Sequence, residues 1–126
     1  MTLLELRPLI IEWARDKELI NLSIAPKQRL KLLEELGELA RAVLLNNINL
    51  QKDAIGDIAV VLIILNEQTN SSLEFDFSKV TKSKETDLYE MLKMVSFLTN
   101  YLFCELSLLN DIANILGLDL EECANI

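Results

Sequence analysis

Apolar residues recur along this chain at three- and four-residue intervals, and no segment alternates apolar with polar residue by residue, so the pattern predicts an all-α protein. Thr2 and Glu5 form a capping box, after which Leu6, Leu9, Ile10 and Trp13 keep helical spacing through Arg15; Pro8 is expected to kink this segment or delay its start. Residues 21–25 read as a loop, and Pro26 suits the first turn of a second helix that runs to about Leu45 and ends at Asn46-Asn47. A third helix is expected from near Leu50 to about Gln68, apolar on most sides, as befits a rod buried in a bundle or an oligomer interface.

Residues 69–85 hold a long polar stretch with Asn70-Ser71-Ser72 and are expected to be loop. From about Thr86 to Leu116, Leu88, Met91, Leu92, Val95, Leu98, Leu102, Leu106 and Leu109 follow helical spacing, as one long helix or two joined ones, and Gly117 is a stop signal. Asp119 and Glu122 resemble another helix start, which Ile126 cuts off within about two turns. The expectation is one helical domain over residues 1–126, a bundle of four to five helices with an incomplete last helix, the natural chain continuing further.

A chain of 126 residues with 51% apolar content can build one core. Its net charge of −8 argues against a nucleic-acid-binding surface, which needs clustered Lys and Arg, but leaves nucleotides open because metal ions bridge acids to phosphates. Cys104 and Cys123 have neither metal-site spacing nor a disulfide framework and read as ordinary reduced thiols. The N-terminus lacks the features of a signal peptide and no apolar run is long enough to span a bilayer, so a soluble cytoplasmic protein without membrane contact is expected.

Chemistry enters through a repeat at an offset of 19 residues: Glu34-Glu35-Leu36-Gly37-Glu38 and Asp53-Ala54-Ile55-Gly56-Asp57. Acids three or four positions apart share a helix face, so one helix offers Glu34, Glu35 and Glu38 and the next offers Asp53 and Asp57. Asp57 precedes the unbroken apolar run Ile58 to Leu65, with no Lys or Arg to neutralise it, and a buried carboxylate of that kind calls for a cation. Magnesium favours such oxygen ligands. The chain has no histidine, which removes Glu-x-x-His di-iron sites, the usual zinc hydrolase sites and every histidine-activated nucleophile. Metal-assisted hydrolysis with a carboxylate base survives that elimination. Glycine inside a helix costs roughly 1 kcal/mol relative to alanine, so Gly37 and Gly56 are expected to let their helices pack closely. The plainer alternative is that Glu34, Glu35 and Glu38 only pair with Lys31, Arg41 and solvent.

The segments Lys31-Leu32-Leu33-Glu34-Glu35-Leu36-Gly37-Glu38-Leu39-Ala40 and Lys52-Asp53-Ala54-Ile55-Gly56-Asp57-Ile58-Ala59-Val60-Val61-Leu62 resemble the MazG-like nucleoside triphosphate pyrophosphohydrolases. The match covers residues 27–68, and the leading segment with Trp13 and the ending Leu116 to Cys123 also resemble shorter phage and bacterial members. The resemblance implies an all-α enzyme that uses Mg²⁺, or Mn²⁺, to cleave a nucleoside triphosphate to the monophosphate and pyrophosphate, as a homodimer or homotetramer. Its pattern is Glu-x-x-Glu followed by Glu-x-x-Asp. Glu35 and Glu38 meet the first motif; in the second, Asp57 is present but Ala54 stands where glutamate is expected, and Asp53 is the nearest substitute. Members commonly continue into a basic C-terminal helix, which this chain stops short of.

Glu35, Glu38 and Asp57, helped by Asp53 or Glu34, are therefore expected to hold the metal, which activates a water while one glutamate accepts its proton. Lys31 is a candidate phosphate contact, or else an ordinary partner of the glutamates one turn away. Trp13 is a candidate base-stacking residue, or else part of the core. The competing class is a helical binding or oligomerisation module that keeps the fold without turnover, and Ala54 favours it.

Overall fold

Helix α3, Ile48–Thr69, carries so many apolar residues that burial on all sides is its stable solution, and the other helices gather around it. The computed structural model describes residues 1–20, 25–69 and 105–125. Among these, every regular element is a helix: α1 (Leu3–Asp16), α2 (Ala25–Leu44), α3, α4 (Glu105–Ile115) and α5 (Leu120–Ala124). The expected loop at residues 21–24, the polar stretch from residue 70, the helical spacing up to residue 104 and Cys104 lie outside the described residues.

α2 and α3 form an antiparallel hairpin, the most extensive pairing in the structure, and α5, α1 and α4 pack on other sides of α3. Leu32, Leu36 and Leu39 from α2 meet Ile55, Ile58, Ala59 and Leu62 from α3, and Leu3, Leu109, Ile112 and Leu120 complete the core. No helix among the described residues is long and apolar enough to cross a membrane.

Three helices end in the same way. Glu18, Asn46 and Gly117 take positive φ of 58°, 53° and 74°. In each case the next residue reaches back five positions, Leu19 N–H to Ala14 (2.8 Å), Asn47 N–H to Ala42 (3.0 Å) and Leu118 N–H to Ala113 (2.8 Å), satisfying otherwise orphaned carbonyls. Asn47 then caps α3, its side chain accepting from Leu50 N–H at 3.1 Å, which starts that helix two residues before the expected position.

The start of α1 follows the capping box, with Glu5 N–H donating to Thr2 Oγ1 at 3.2 Å. Pro8 does not delay it: the helix begins at Leu3 and passes through the proline. The buried face of α1 differs from the expected stripe. Leu3, Ile11 and Ala14 are buried, while Leu9 and Trp13 face solvent. Leu6 and Ile10 of that stripe are half-buried, Leu6 packing against the core, and Arg7 and Arg15 both reach Glu67 of α3, at 3.4 and 3.3 Å. α5 is tied to the chain start, where Leu3 N–H donates to Glu121 Oε2 (3.1 Å) and the Asn125 amide to the Met1 carbonyl (2.6 Å).

Candidate metal centre

Helical spacing puts Lys31, Glu34, Glu35 and Glu38 on one side of α2. Carboxylate oxygens of Glu34, Glu35 and Glu38 all lie within 4.8 Å of one another. Lys31 Nζ sits 2.7 Å from Glu34 Oε1 and 3.2 Å from Glu35 Oε1. One lysine therefore serves two of three carboxylates.

Glu35 is the member that demands an explanation, because it is only 4% exposed and its Oε2 is buried with no hydrogen-bond donor among the described residues. An unmatched buried carboxylate oxygen is costly. The Glu38 carboxyl, within hydrogen-bonding reach of Glu35, is held above its ordinary value of 4.5 first by that contact and then by the charges of Glu35 and Glu34, with Lys31 acting in the opposite sense. Two carboxylates so placed need a proton or a cation between them. A hard divalent ion, which takes carboxylate oxygens, fits both the donor set and the orphaned Oε2.

The α3 side contributes Asp53 and Asp57, one turn apart. Together with Gly56, Val60, Cys123 and Ala124 they line a cleft of about 240 Å³. Asp57 is raised from its ordinary 3.8, first because the cleft walls strip away water, then by the charges of Glu38 and Asp53, with Lys31 opposing. The charges of Glu38 and Lys31 thus reach Asp57, but Asp53 and Asp57 lie outside the group of acids whose oxygens come within 4.8 Å of one another, which among the described residues holds Glu34, Glu35 and Glu38.

The structure corrects three expectations. Asp57 is exposed, and the buried carboxylate of the cluster is Glu35, paired through one oxygen with Lys31. Gly37 is not a point of close approach within the chain, since an added Cβ would meet nothing within 4 Å; Gly56 is, but the backbone pressed against it is that of Cys123 in α5 and not α2. Trp13 is not core: it is 50% exposed. Its helix reaches α3 through Arg7 and Arg15 at Glu67.

Other expectations coincide with the geometry. Ala54 is buried in the core, at 3% exposure, whereas Asp53 lines the cleft beside Asp57. Lys31 is occupied by Glu34 and Glu35 in the plain i, i+3 and i, i+4 manner. Cys123 is a buried free thiol, raised by burial and by the neighbouring Glu122. Sequence reasoning missed that α5 forms a wall of the cleft, fastened by Lys52 and Glu122 at 3.4 Å. Those residues are far apart in the chain and carry no shared motif, so only the fold brings them together.

Compared with known proteins, the chain matches no family model. No solved structure matches it either. It is similar to an uncharacterized 18.2 kDa protein in the rep-hol intergenic region of Haemophilus phage HP1, with 44% identity over 61 residues. The matched stretch is 48% of this chain and 37% of that protein, so the chain spans little more than a third of its relative's length.

Proposed function

We propose that this chain is a Mg²⁺-dependent nucleoside triphosphate pyrophosphohydrolase of MazG-like type, acting as a homodimer or homotetramer and releasing pyrophosphate and a nucleoside monophosphate. The observation that carries the reading is Glu35: a buried carboxylate with a donorless oxygen, set between Glu34 and Glu38, the last of which acts electrostatically on Asp57 of α3. Glu35, Glu38 and Asp57 would hold the metal, with Asp53 standing in for the acid that Ala54 lacks and Glu34 at the rim. When bound, the metal offsets phosphate charge and lowers the pKa of a water. Glu38, the exposed member of the pair, meets that water and accepts its proton, while buried Glu35 fixes the ligand geometry. Lys31 pairs with Glu34 and Glu35 in the free protein and would be the phosphate contact of the loaded site.

The test is pyrophosphate release from ribo- and deoxynucleoside triphosphates with Mg²⁺ or Mn²⁺, beside Glu38→Ala. The reading expects metal-dependent release that the variant abolishes. A second reading, a module that keeps the metal without turnover, is favoured by Ala54, whose burial leaves the second motif one acid short. A Mg²⁺-dependent gain in stability without product release would select it.

A further inference from the structure

α2 has a second apolar face that no described residue covers. Leu30, Leu33, Gly37, Ala40 and Leu44 follow one another at intervals of three, four, three and four, the seam of a coiled coil. All five are exposed, with Leu30 at 68%, Leu33 at 56% and Leu44 at 77%. The core face of the same helix, carrying Leu32, Leu36, Leu39 and Ala42, points another way. Gly37 lies at the centre of the exposed seam, and no described residue requires a glycine there, since a Cβ would meet none of their atoms within 4 Å.

We propose that a second copy of this chain packs antiparallel on this seam, α2 against α2 across a two-fold axis. The order of side chains is what selects that partner. When an antiparallel pair sets each Leu33 against Leu44 of the other copy, Gly37 falls against Ala40, so large meets large at the ends and small meets small at the centre. The surface is complementary to itself, as a two-fold contact requires. The charges flanking the seam agree. Glu34 of one copy comes beside Arg41 of the other, twice by symmetry, and Arg41 makes no ion pair within its own chain among the described residues. A parallel pair would instead leave Arg41 with no carboxylate across the seam, because flanking positions then meet five residues apart and Arg41 would face Leu36. The Gly–Ala layers let the two helices approach closely, which accounts for a helix-interior glycine that no described residue requires. This inference deepens the oligomeric part of the function proposed above and does not depend on metal or hydrolysis.

The experiment combines mass in solution with directional crosslinking. Leu33→Cys and Leu44→Cys are made separately, and each is oxidised alone and as an equal mixture, with the parent chain controlling for Cys104 and Cys123. The expected result is a parent of twice the chain mass, a disulfide-linked dimer formed mainly in the mixture, and conversion to monomer by Leu33→Glu with helical circular dichroism retained. Crosslinks within each single variant would mean a parallel pair and overturn the proposal. A dimer that neither crosslinks nor responds to Leu33→Glu places the interface elsewhere, which overturns the seam but leaves the oligomeric reading standing. A monomeric parent overturns both.

Discussion

Lys31 Nζ lies 3.2 Å from one oxygen of Glu35 while the other oxygen of that carboxylate is buried without a donor. The lysine is half exposed and shared with Glu34, so it is a partial remedy for a buried charge. Replacing it by Lys31→Met leaves Glu35 with no counter-charge and is expected to cost about 1–3 kcal/mol in metal-free buffer. Mg²⁺ should restore most of that loss. Denaturant unfolding with and without the ion measures both.

The same cluster sets a pH dependence. Glu38 and Asp57 both have folded values raised above 4.5 and 3.8, so the folded state binds their protons more tightly than the unfolded chain does. Their stabilising contribution is full below the ordinary values and is lost as pH rises through the raised ones. Relative to a Glu38→Gln, Asp57→Asn double variant, the metal-free parent should therefore lose thermal stability between about pH 4 and neutrality. Saturating Mg²⁺ should close the gap.

The two motif glycines should respond in opposite ways. Gly56→Ala drives a methyl into the Cys123 carbonyl oxygen, a backbone atom that cannot swing aside, and should cost about 1–3 kcal/mol while loosening α5. Gly37→Ala meets open space among the described residues, so at dilutions where the protein is monomeric it should gain roughly 0.5–1 kcal/mol, whereas in the dimer proposed above its methyl crowds the seam and offsets that gain. Thermal unfolding of the pair checks the contrast.

Glu18 ends α1 with φ of 58°, a conformation that favours glycine. Glu18→Gly keeps the Leu19 to Ala14 bond and removes the strain, so it should stabilise the protein by about 1 kcal/mol. Chemical denaturation reads the gain directly.

How much of this was legible in the chain depends on whether the signal was local. Thr2, Asn46, Gly117 and Asp119 mark helix ends through bonds to their own neighbours, and each was readable from sequence. Glu18 does the same work as Asn46 and Gly117 but carries no propensity for it, so it was missed. The acids of α2 fell together because i, i+3 and i, i+4 spacing guarantees it. The exposure of Asp57, the burial of Glu35 and the tilt of α1 toward Glu67 depend on which face each helix turns inward. Those faces are set by the packing of apolar residues from all five helices into one core, which no single segment of the sequence displays.

The central claim is that the donorless oxygen of Glu35 is one side of a divalent cation site. Titration of the metal-free protein with Mn²⁺, followed by the loss of the free-ion electron paramagnetic resonance signal, tests it most directly when run beside Glu35→Gln, which keeps the side chain's shape. The account predicts saturable binding by the parent, displaced by Mg²⁺ and severely weakened in the variant. Equal binding by both proteins would contradict it.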